Sequence, residues 1–416
     1  MYNKGEAEPV AISGKPEYNG IGVIGPYIFT QGEHTMKFIH LSDLHLGKKV
    51  NEFSMIEDQE YILKEILTII GDEKPDGILI AGDVYDRTVP SEEAMELWDD
   101  FLTSLAEKKV PVFVISGNHD SAIRLSDHST LVKQAGIHLS PKYDGTVSHY
   151  QMEDAFGPVH IYMLPFIKPA VVREAFRDKL PKEEEIKDYT DACRVAIAHM
   201  NVNTKERNIL IAHQMIIGSA RCDSEEVSVG GLDGVDVKVF DDFDYVALGH
   251  LHGKQKVGRD TVRYAGSPLK YSFSEKDHVK SVTVVELGDK GSVSIRERIL
   301  TPKRDLREIR GTYDELMTKT NYEGTNTEDY IHAVLTDEND VIDAIARMRV
   351  VYPNLMKLSY DNKRTRRQQV VTDAENVEKK TPLELFEEFY EKQNNQSMTE
   401  EQKKLSQELI ESIWGE

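Results

Sequence analysis

The stretch that decides the fold is Phe38-Ile39-His40-Leu41-Ser42-Asp43-Leu44-His45-Leu46-Gly47. Its apolar, β-branched start predicts a buried strand. The chain then passes through Asp43 and His45 and breaks at Gly47. A carboxylate and an imidazole two residues apart, where a strand ends, can face one metal ion. Alone, such a pair is more typical of a solvated turn.

Four further stretches repeat this arrangement. Residues 80–83, 115–120 and 246–252 each run from an apolar segment through Gly into Asp, Asn or His, and 209–213 ends in His after Ala. Apolar segments alternate with helical patterns from 36 to about 170, which predicts parallel strands covered by helices. Because ligands gather at the carboxyl ends of such strands, we expect these side chains to meet.

The strand ends supply seven candidate metal ligands. They are Asp43, His45, Asp83, Asn118, His213, His250 and His252. Seven groups exceed the needs of one ion and suit two ions roughly 3.5–4 Å apart. Asp83 is the predicted bridge, since Gly82 lets the strand end approach closely. Oxygen and nitrogen ligands without thiolate favour Mn, Fe or Zn, of which manganese is our prediction. A site with two such ions predicts hydrolysis of a phosphoester by in-line attack of water.

Two residues beside the ligands are candidate catalytic groups. His119 directly follows Asn118, so its ring should lie next to the ions rather than bind them. There it could donate a proton to the leaving oxygen or stabilise the charged transition state. Asp120 is the group expected to orient it. The alternative is that His119 is only a turn residue.

Composition limits the class and the partners. The chain has 416 residues, 39% of them hydrophobic and 30% charged, without an apolar run long enough to span a membrane. No secretory signal is evident, and two cysteines, Cys193 and Cys222, predict a reducing cytoplasm. The net charge of −21 argues against nucleic-acid binding by bulk charge. A polyanionic substrate would need local metal ions or a partner.

The chain divides into five predicted regions. They are a flexible extension at 1–35, an α/β domain at 36–302, a small α+β domain at 303–362, a basic linker at 363–380 and terminal helices at 381–416. A mis-assigned start codon or an added leader would explain the extension before Met36. From Val262 onward the pattern turns to β and predicts a second sheet packed on the first. The linker is either solvated or contacts phosphate.

The terminal helices present apolar stripes. Capping boxes at 381–384 and 399–402 predict two helix starts. The candidate docking residues are Leu383, Phe386, Phe389, Tyr390, Leu405, Leu409, Ile413 and Trp414. These residues dock either on their own chain or on a partner, and alone they slightly favour their own chain.

The motif order resembles that of the calcineurin-like metallophosphoesterases. D-x-H, G-D, G-N-H-D, a single His and G-H-x-H follow one another between 36 and about 300. The resemblance implies an α/β fold of two packed sheets flanked by helices. It also implies that Asp43, His45, Asp83 and His252 surround one ion, whereas Asp83, Asn118, His213 and His250 surround the other.

Further stretches resemble the SbcD family of nuclease subunits. They are Gly-Asp-Val-Tyr-Asp-Arg at 82–87, Val-Gly-Gly-Leu at 229–232, Tyr-Val-Ala-Leu-Gly-His at 245–250, Gly-Ser-Pro-Leu-Lys-Tyr-Ser-Phe-Ser-Glu at 266–275 and Leu-Glu-Leu-Phe at 383–386. The resemblance, from Met36 onward, implies exonuclease action on duplex ends and endonuclease action on single-stranded or hairpin DNA, in repair, recombination and replication. It makes 303–362 a capping domain that helps bind DNA.

A partner ATPase is also implied. By resemblance the terminal helices would hold an SbcC-type ATPase, in a heterotetramer with two copies of each subunit. The chain has no G-x-x-x-x-G-K-[ST], so ATP chemistry would come from that partner. The alternatives are a two-metal phosphodiesterase or protein phosphatase acting on another substrate, and a non-catalytic scaffold. Metal-dependent cleavage of linear duplex DNA would separate them.

Overall fold

The computed structural model describes most of the chain. The described residues are 22–23, 35–127, 129–177, 185–225, 234–363, 365, 383, 386–387, 390 and 397–406. Within the predicted flexible extension 1–35, Gly22–Val23 pair in parallel with Tyr150–Gln151. Residues 1–21 and 24–34 of that extension lie outside the described residues.

Strands and helices alternate along much of the described chain. The strands are β1 (Gly22–Val23), β2 (Met36–Leu41), β3 (Lys49–Val50), β4 (Phe53–Ser54), β5 (Gly77–Ala81), β6 (Val112–Ile115), β7 (Ile137–Leu139), β8 (Ser148–Asp154), β9 (Gly157–Leu164), β10 (Arg207–His213), β11 (Tyr245–Gly249), β12 (Gln255–Val257), β13 (Arg259–Tyr264), β14 (Ser281–Leu287), β15 (Val293–Ile299), β16 (Leu306–Gly311), β17 (Tyr330–Leu335) and β18 (Leu355–Tyr360). The α-helices are α1 (Ile56–Glu73), α2 (Glu92–Glu107), α3 (Ala122–Leu125), α4 (Ser129–Val132), α5 (Pro169–Ala175), α6 (Tyr189–Ala198), α7 (Tyr313–Met317), α8 (Lys319–Tyr322) and α9 (Ala344–Met348). Short 3₁₀ helices span Lys133–Ala135, Val237–Phe240 and Phe273–Glu275. Among the described residues, no helix has both the length and the apolar character needed to span a bilayer.

The first sheet has six strands in the order β15-β14-β2-β5-β6-β7. Strands β2, β5, β6 and β7 run parallel, as the alternation of apolar segments and helices predicts. Helix α2 follows β5 and begins after Ser91, whose hydroxyl accepts the Ala94 amide hydrogen at 3.3 Å and so caps the helix. Strand β14 pairs antiparallel with β2 on one side and with β15 on the other.

The second sheet has seven strands in the order β1-β8-β9-β10-β11-β13-β12. The expectation that a second sheet begins at Val262 is wrong in its boundaries. That sheet already contains β8 and β9, whereas β14 and β15 belong to the first sheet. The physical reason is that β2 has β5 on one side only, and the buried strand β14 pairs with its other side.

The two sheets pack face to face around a shared core. Phe38, Leu79 and Phe113 of the first sheet join Ile161 and Tyr245 of the second in one buried cluster. A separate cluster lies on the other face of the second sheet, where α6 packs on β10 and β11. The predicted two-sheet sandwich flanked by helices is therefore confirmed.

The chain forms two compact units. The described residues of the first unit fall within Met1–Glu308 and Glu328–His332, and those of the second fall within Ile309–Thr327 and Ala333–Glu416. Strands β16, β17 and β18 form a three-stranded sheet in that order. In chain order this region contains β16, α7, α8, β17, α9 and β18. The domain boundaries proposed from the sequence remain a prediction.

Candidate metal centre

The carboxyl ends of five strands bring the seven predicted ligands together. Asp43 and His45 follow β2, Asp83 follows β5, Asn118 follows β6, His213 ends β10, and His250 and His252 follow β11. Six of these side chains are buried, and Asn118 is half-buried. Every one of them contacts at least one other ligand of the set or that ligand's backbone.

The backbone of several ligands is strained. Asp43, His45 and Asp83 have φ values of 54°, 45° and 50°, and His250 has a φ of 107°. These lie in the left-handed region that favours glycine, which costs a side-chain-bearing residue about 1–3 kcal/mol. Such strain is stored at functional sites, where it aims side chains that a regular strand would turn away.

Glycines allow the strand ends to approach one another. A Cβ atom on Gly249 would lie 1.9 Å from the Ala81 carbonyl oxygen, and one on Gly82 would lie 2.5 Å from His213 Nδ1. Neither position can therefore carry a side chain without moving the backbone. The close approach that the sequence suggested for Gly82 is present.

Asp83 lies between the two groups of ligands. Its Oδ2 atom is 3.3 Å from His213 Nε2 and 3.6 Å from His45 Nε2. Its Oδ1 atom accepts a hydrogen bond from the His119 backbone amide at 2.9 Å. One carboxylate oxygen thus faces an imidazole from each predicted ion site.

The remaining ligands converge in two places. His45 Nε2 and His252 Nε2 are 3.0 Å apart, and Asp43 has a carboxylate oxygen close to both. Asn118 Oδ1 lies 3.0 Å from His213 Nε2 and 2.9 Å from His250 Nδ1. Asp43 also clusters with Asp83 and His213, so it lies near both groups.

The donor set fits divalent cations. Among the described residues, Asp43 Oδ2 is buried without a hydrogen-bond partner. An orphaned carboxylate oxygen is costly unless a cation or donor satisfies it. Carboxylate, amide and imidazole ligands without thiolate suit ions such as Mn²⁺, Fe²⁺ and Zn²⁺.

The electrostatics of the cluster also favour a positive charge among these side chains. Burial raises the pKa of Asp43 to about 7 and lowers the pKa of His45 to about 3. Burial opposes the charged form of His213, but Asp83 raises the pKa of that imidazole to about 9. Burial opposes ionisation of Asp83, but His213, His45 and His119 together hold the pKa of its carboxyl well below the ordinary value. Bound cations would take over the role of the His213 proton.

His119 and Asp120 occupy different surroundings. His119 Nδ1 lies 3.0 Å from the Asp86 carbonyl oxygen, and its ring meets the His45 ring edge-on at 4.8 Å. The carboxylate of Asp120 instead accepts hydrogen bonds from the backbone amides of Val84, Tyr85 and Gly117 at 2.9–3.1 Å. These contacts of Asp120 tie together the loops after β5 and β6. The expected orientation of His119 by Asp120 stays a prediction.

Sequence reasoning missed several residues that surround the ligands. They are Asp86, Ser224, Glu225, Glu275 and Lys280. Asp86 and Glu275 lie inside the stretches 82–87 and 266–275, so those motifs were the available signal. Their roles could not be assigned because their partners are distant in the sequence.

The predicted docking residues of the tail are described in part. Phe386 is 43% exposed and Leu405 is 58% exposed, whereas Leu383 and Tyr390 are half-buried. Phe389, Leu409, Ile413 and Trp414 lie outside the described residues. Thr399 and Gln402 exchange the two hydrogen bonds of the predicted capping box, at 2.9 and 3.3 Å.

Comparisons with known proteins identify the family. Two solved structures that match part of this chain are a dimetal phosphatase from Danio rerio (TM-score 0.39, 10% identity, 64% of this chain and 96% of that chain) and TT1561 of Thermus thermophilus (TM-score 0.37, 13% identity, 64% and 99%). The family model of the calcineurin-like phosphoesterases matches residues 36–254, and that of the type 5 capsule protein repressor C-terminal domain matches 302–394. The SbcD subunit of the nuclease SbcCD from Staphylococcus epidermidis is 31% identical over 388 residues, which cover 91% of this chain and 99% of that protein. The chain therefore belongs to the calcineurin-like phosphoesterases and, within them, to the SbcD family.

Proposed function

We propose that this chain is a metal-dependent phosphodiester hydrolase that cuts DNA. It acts as an exonuclease on duplex ends and as an endonuclease on single-stranded or hairpin DNA. The observation that carries the proposal is the position of Asp83, whose Oδ2 atom lies within 3.6 Å of imidazoles from both ligand groups. The 31% identity to a nuclease subunit along nearly its whole length supports DNA as the substrate.

Two divalent ions would occupy the candidate centre. The family fold implies a dinuclear site, and the structure provides ligand clusters that fit it. In our proposal Asp43, His45 and His252 hold one ion, Asn118, His213 and His250 hold the other, and Asp83 bridges them. Among the ions that such carboxylate, amide and imidazole ligands suit, which include Mn²⁺, Fe²⁺ and Zn²⁺, manganese remains our proposal. When bound, such ions neutralise the phosphate and lower the pKa of an attacking water.

His119 is the proposed catalytic residue of the protein itself. The Asp86 carbonyl oxygen fixes its ring at Nδ1, beside His45. In this place the imidazole would give a proton to the leaving oxygen of the DNA strand. Asp120, whose carboxylate holds together the loops that carry Asp83 and Asn118, would orient His119 rather than touch the substrate.

The chain would work with a partner. Its net charge of −21 gives no general attraction to DNA, so a partner would help to hold the substrate. We propose an SbcC-type ATPase, bound by the terminal helices in a cytoplasmic heterotetramer with two copies of each subunit. The 303–362 region would assist DNA binding. The name of the Staphylococcus relative, a subunit of SbcCD, supports this partner.

A substrate comparison tests the proposed activity. The purified chain with Mn²⁺ would be given circular single-stranded DNA, a phosphoserine peptide and a small phosphodiester. We expect DNA cleavage that EDTA abolishes. Faster hydrolysis of the phosphopeptide would favour a protein phosphatase, and metal binding without hydrolysis of any of the three would favour a scaffold.

A further inference from the structure

A chain of partly buried hydrogen bonds lies behind the imidazole of His252. Its Nδ1 atom is 2.7 Å from the Ser224 hydroxyl oxygen, which donates to Glu275 Oε1 at 2.6 Å. Glu275 is fully buried, and the Lys280 ammonium lies 2.5 Å from its Oε2 atom. The chain therefore runs from a predicted metal ligand to a buried ion pair.

The chemistry of these groups fixes the direction of every hydrogen bond. An ionised carboxylate can only accept, and the Tyr271 backbone amide also donates to Glu275 Oε1, at 3.1 Å. The single hydroxyl hydrogen of Ser224 must then point at Glu275. The Ser224 oxygen is left to accept, so Nδ1 of His252 must carry a hydrogen.

The opposite side of the same ring faces the candidate metal centre. His252 Nε2 lies 3.0 Å from His45 Nε2, where a lone pair is needed to bind an ion. A neutral imidazole with its hydrogen on Nδ1 presents that lone pair at Nε2. We propose that Ser224 and Glu275 are positioning residues that hold His252 in its metal-binding tautomer. The inference rests on the proposed role of His252 as a ligand.

The same group of residues also holds the backbone of His252. Lys280 donates to the His252 carbonyl oxygen and to Ser267 Oγ, both at 2.9 Å. Glu225 Oε1 accepts from the His252 amide at 2.7 Å. Backbone and ring are thus fixed from one side, which leaves the ring little freedom to turn away.

Nitrogen NMR of the metal-free protein tests the tautomer directly. With ¹⁵N-labelled histidine, the signals of His252 are assigned by their loss in His252→Gln. We expect the Nδ1–H tautomer in the wild type and in Ser224→Thr, which keeps the hydroxyl. Ser224→Ala and Glu275→Gln should both lower the Nδ1–H population. A wild-type Nε2–H tautomer, or an unchanged signature in Ser224→Ala, would overturn the proposal.

Calorimetric measurement of Mn²⁺ binding, without DNA, gives a second readout. Ser224→Ala should weaken one of the two binding events by roughly 10–100-fold, as loss of an outer partner of a metal-binding histidine typically does. Glu206→Gln is the matched control. Glu206 lies 2.6 Å from the Nε2 atom of His160, which is not one of the predicted ligands. This substitution should alter neither readout. The tautomer does not depend on DNA cleavage, so the two proposals can fail separately.

Discussion

At the scale of single residues, Asp83 is the group on which we expect metal binding to depend most. Its backbone is in the left-handed region, with φ at 50°, and its side chain is 2% exposed. One oxygen faces the imidazoles and the other accepts the His119 amide hydrogen. The residue therefore joins both ligand groups to the loop that carries the catalytic candidate.

Asp83→Asn should reduce bound Mn²⁺ from two ions per chain to one or none. An amide of the same shape keeps the packing but removes the negative charge that both ions share. Metal content after dialysis, measured by mass spectrometry, checks this. Asp100→Asn, an exposed change on α2, is the control. Two ions retained in Asp83→Asn would end the bridging assignment.

His119→Gln should keep both ions and lose most of the cleavage. Removing a general acid typically costs on the order of 10²–10⁴ in rate. The measurement pairs metal content with the rate on single-stranded DNA in Mn²⁺. If metal content falls with the rate, His119 is a ligand and our assignment is wrong.

The sequence predicted the ligands but not their surroundings. Each candidate ligand follows an apolar segment, and this arrangement recurs along the chain, so Asp43 and Asp83 could be proposed from the sequence. Ser224 and Glu275 have no such signal, because their role depends on a contact with His252 that only the folded chain creates. Asp86 contributes to His119 through its backbone carbonyl, which no sequence pattern reveals.

At the scale of elements, the junction between β5 and β11 depends on glycine. Gly249→Ala should destabilise the fold by about 1–3 kcal/mol, because the added Cβ atom would overlap the Ala81 carbonyl oxygen. The control is Gly71→Ala inside α1, where the nearest atom is Lys108 Nζ at 3.6 Å. That change should be neutral or stabilise by about 0.5–1 kcal/mol. The urea midpoints of the wild type and the two variants measure these effects. Equal midpoints for Gly249→Ala and the wild type would contradict the close approach of Gly249 to Ala81.

Helix α1 is joined to β15 by a charge cluster with a predictable pH dependence. Glu73 accepts from Arg296 Nη1 at 2.8 Å and from Arg298 Nη1 at 2.5 Å. The Arg296 hydrogen bonds, opposed by partial burial and aided by Arg298, lower the pKa of Glu73 to about 2. A depressed folded-state pKa means that this stabilisation is complete above the ordinary value of about 4.3 and disappears as the pH falls towards 2.

Glu73→Gln should therefore lower stability at pH 6 and have a smaller effect, roughly half as large, at pH 3, which lies between the folded-state pKa and the ordinary pKa. Urea midpoints of wild type and variant at the two pH values measure the difference. Glu60→Gln is the control, since Glu60 pairs with exposed Lys64 on the same helix. A wild-type advantage that is equal at both pH values would show that the charge of Glu73 is not the cause.

The order of elements was predictable, but the assignment of strands to sheets was not. Alternating apolar segments and helices determine parallel pairing of β2, β5 and β6 locally. The choice of β14 to join β2 depends on which strand edge remains open after the sandwich forms. That choice is a tertiary effect, which the pattern from Val262 onward does not contain.

At the scale of the whole molecule, the terminal helices should bind the partner. Truncation after Lys380 should spare metal binding and Mn²⁺-dependent cleavage of single-stranded DNA. It should abolish binding to an SbcC-type ATPase, because exposed residues such as Phe386 and Leu405 are typical of a helix that fits a groove. Co-purification and the two assays measure this.

The competing account packs the tail on its own chain. Truncation would then lower the melting temperature of the isolated chain by about 2–4 °C for each kcal/mol lost, as for domains of 150–250 residues. Calorimetry of the truncated and full chains gives this value. A clear fall in melting temperature with partner binding intact would contradict the docking role.

Cleavage of a linear duplex by the chain together with an SbcC-type ATPase tests the central claim most directly. An end-labelled duplex is incubated with both subunits, Mn²⁺ and ATP, alongside reactions that lack ATP, contain EDTA or carry Asp83→Asn. We predict shortening of the duplex from its ends in the complete reaction and loss of that activity with EDTA or Asp83→Asn. A duplex left intact by a complex that binds two Mn²⁺ ions per SbcD-type chain would contradict the account.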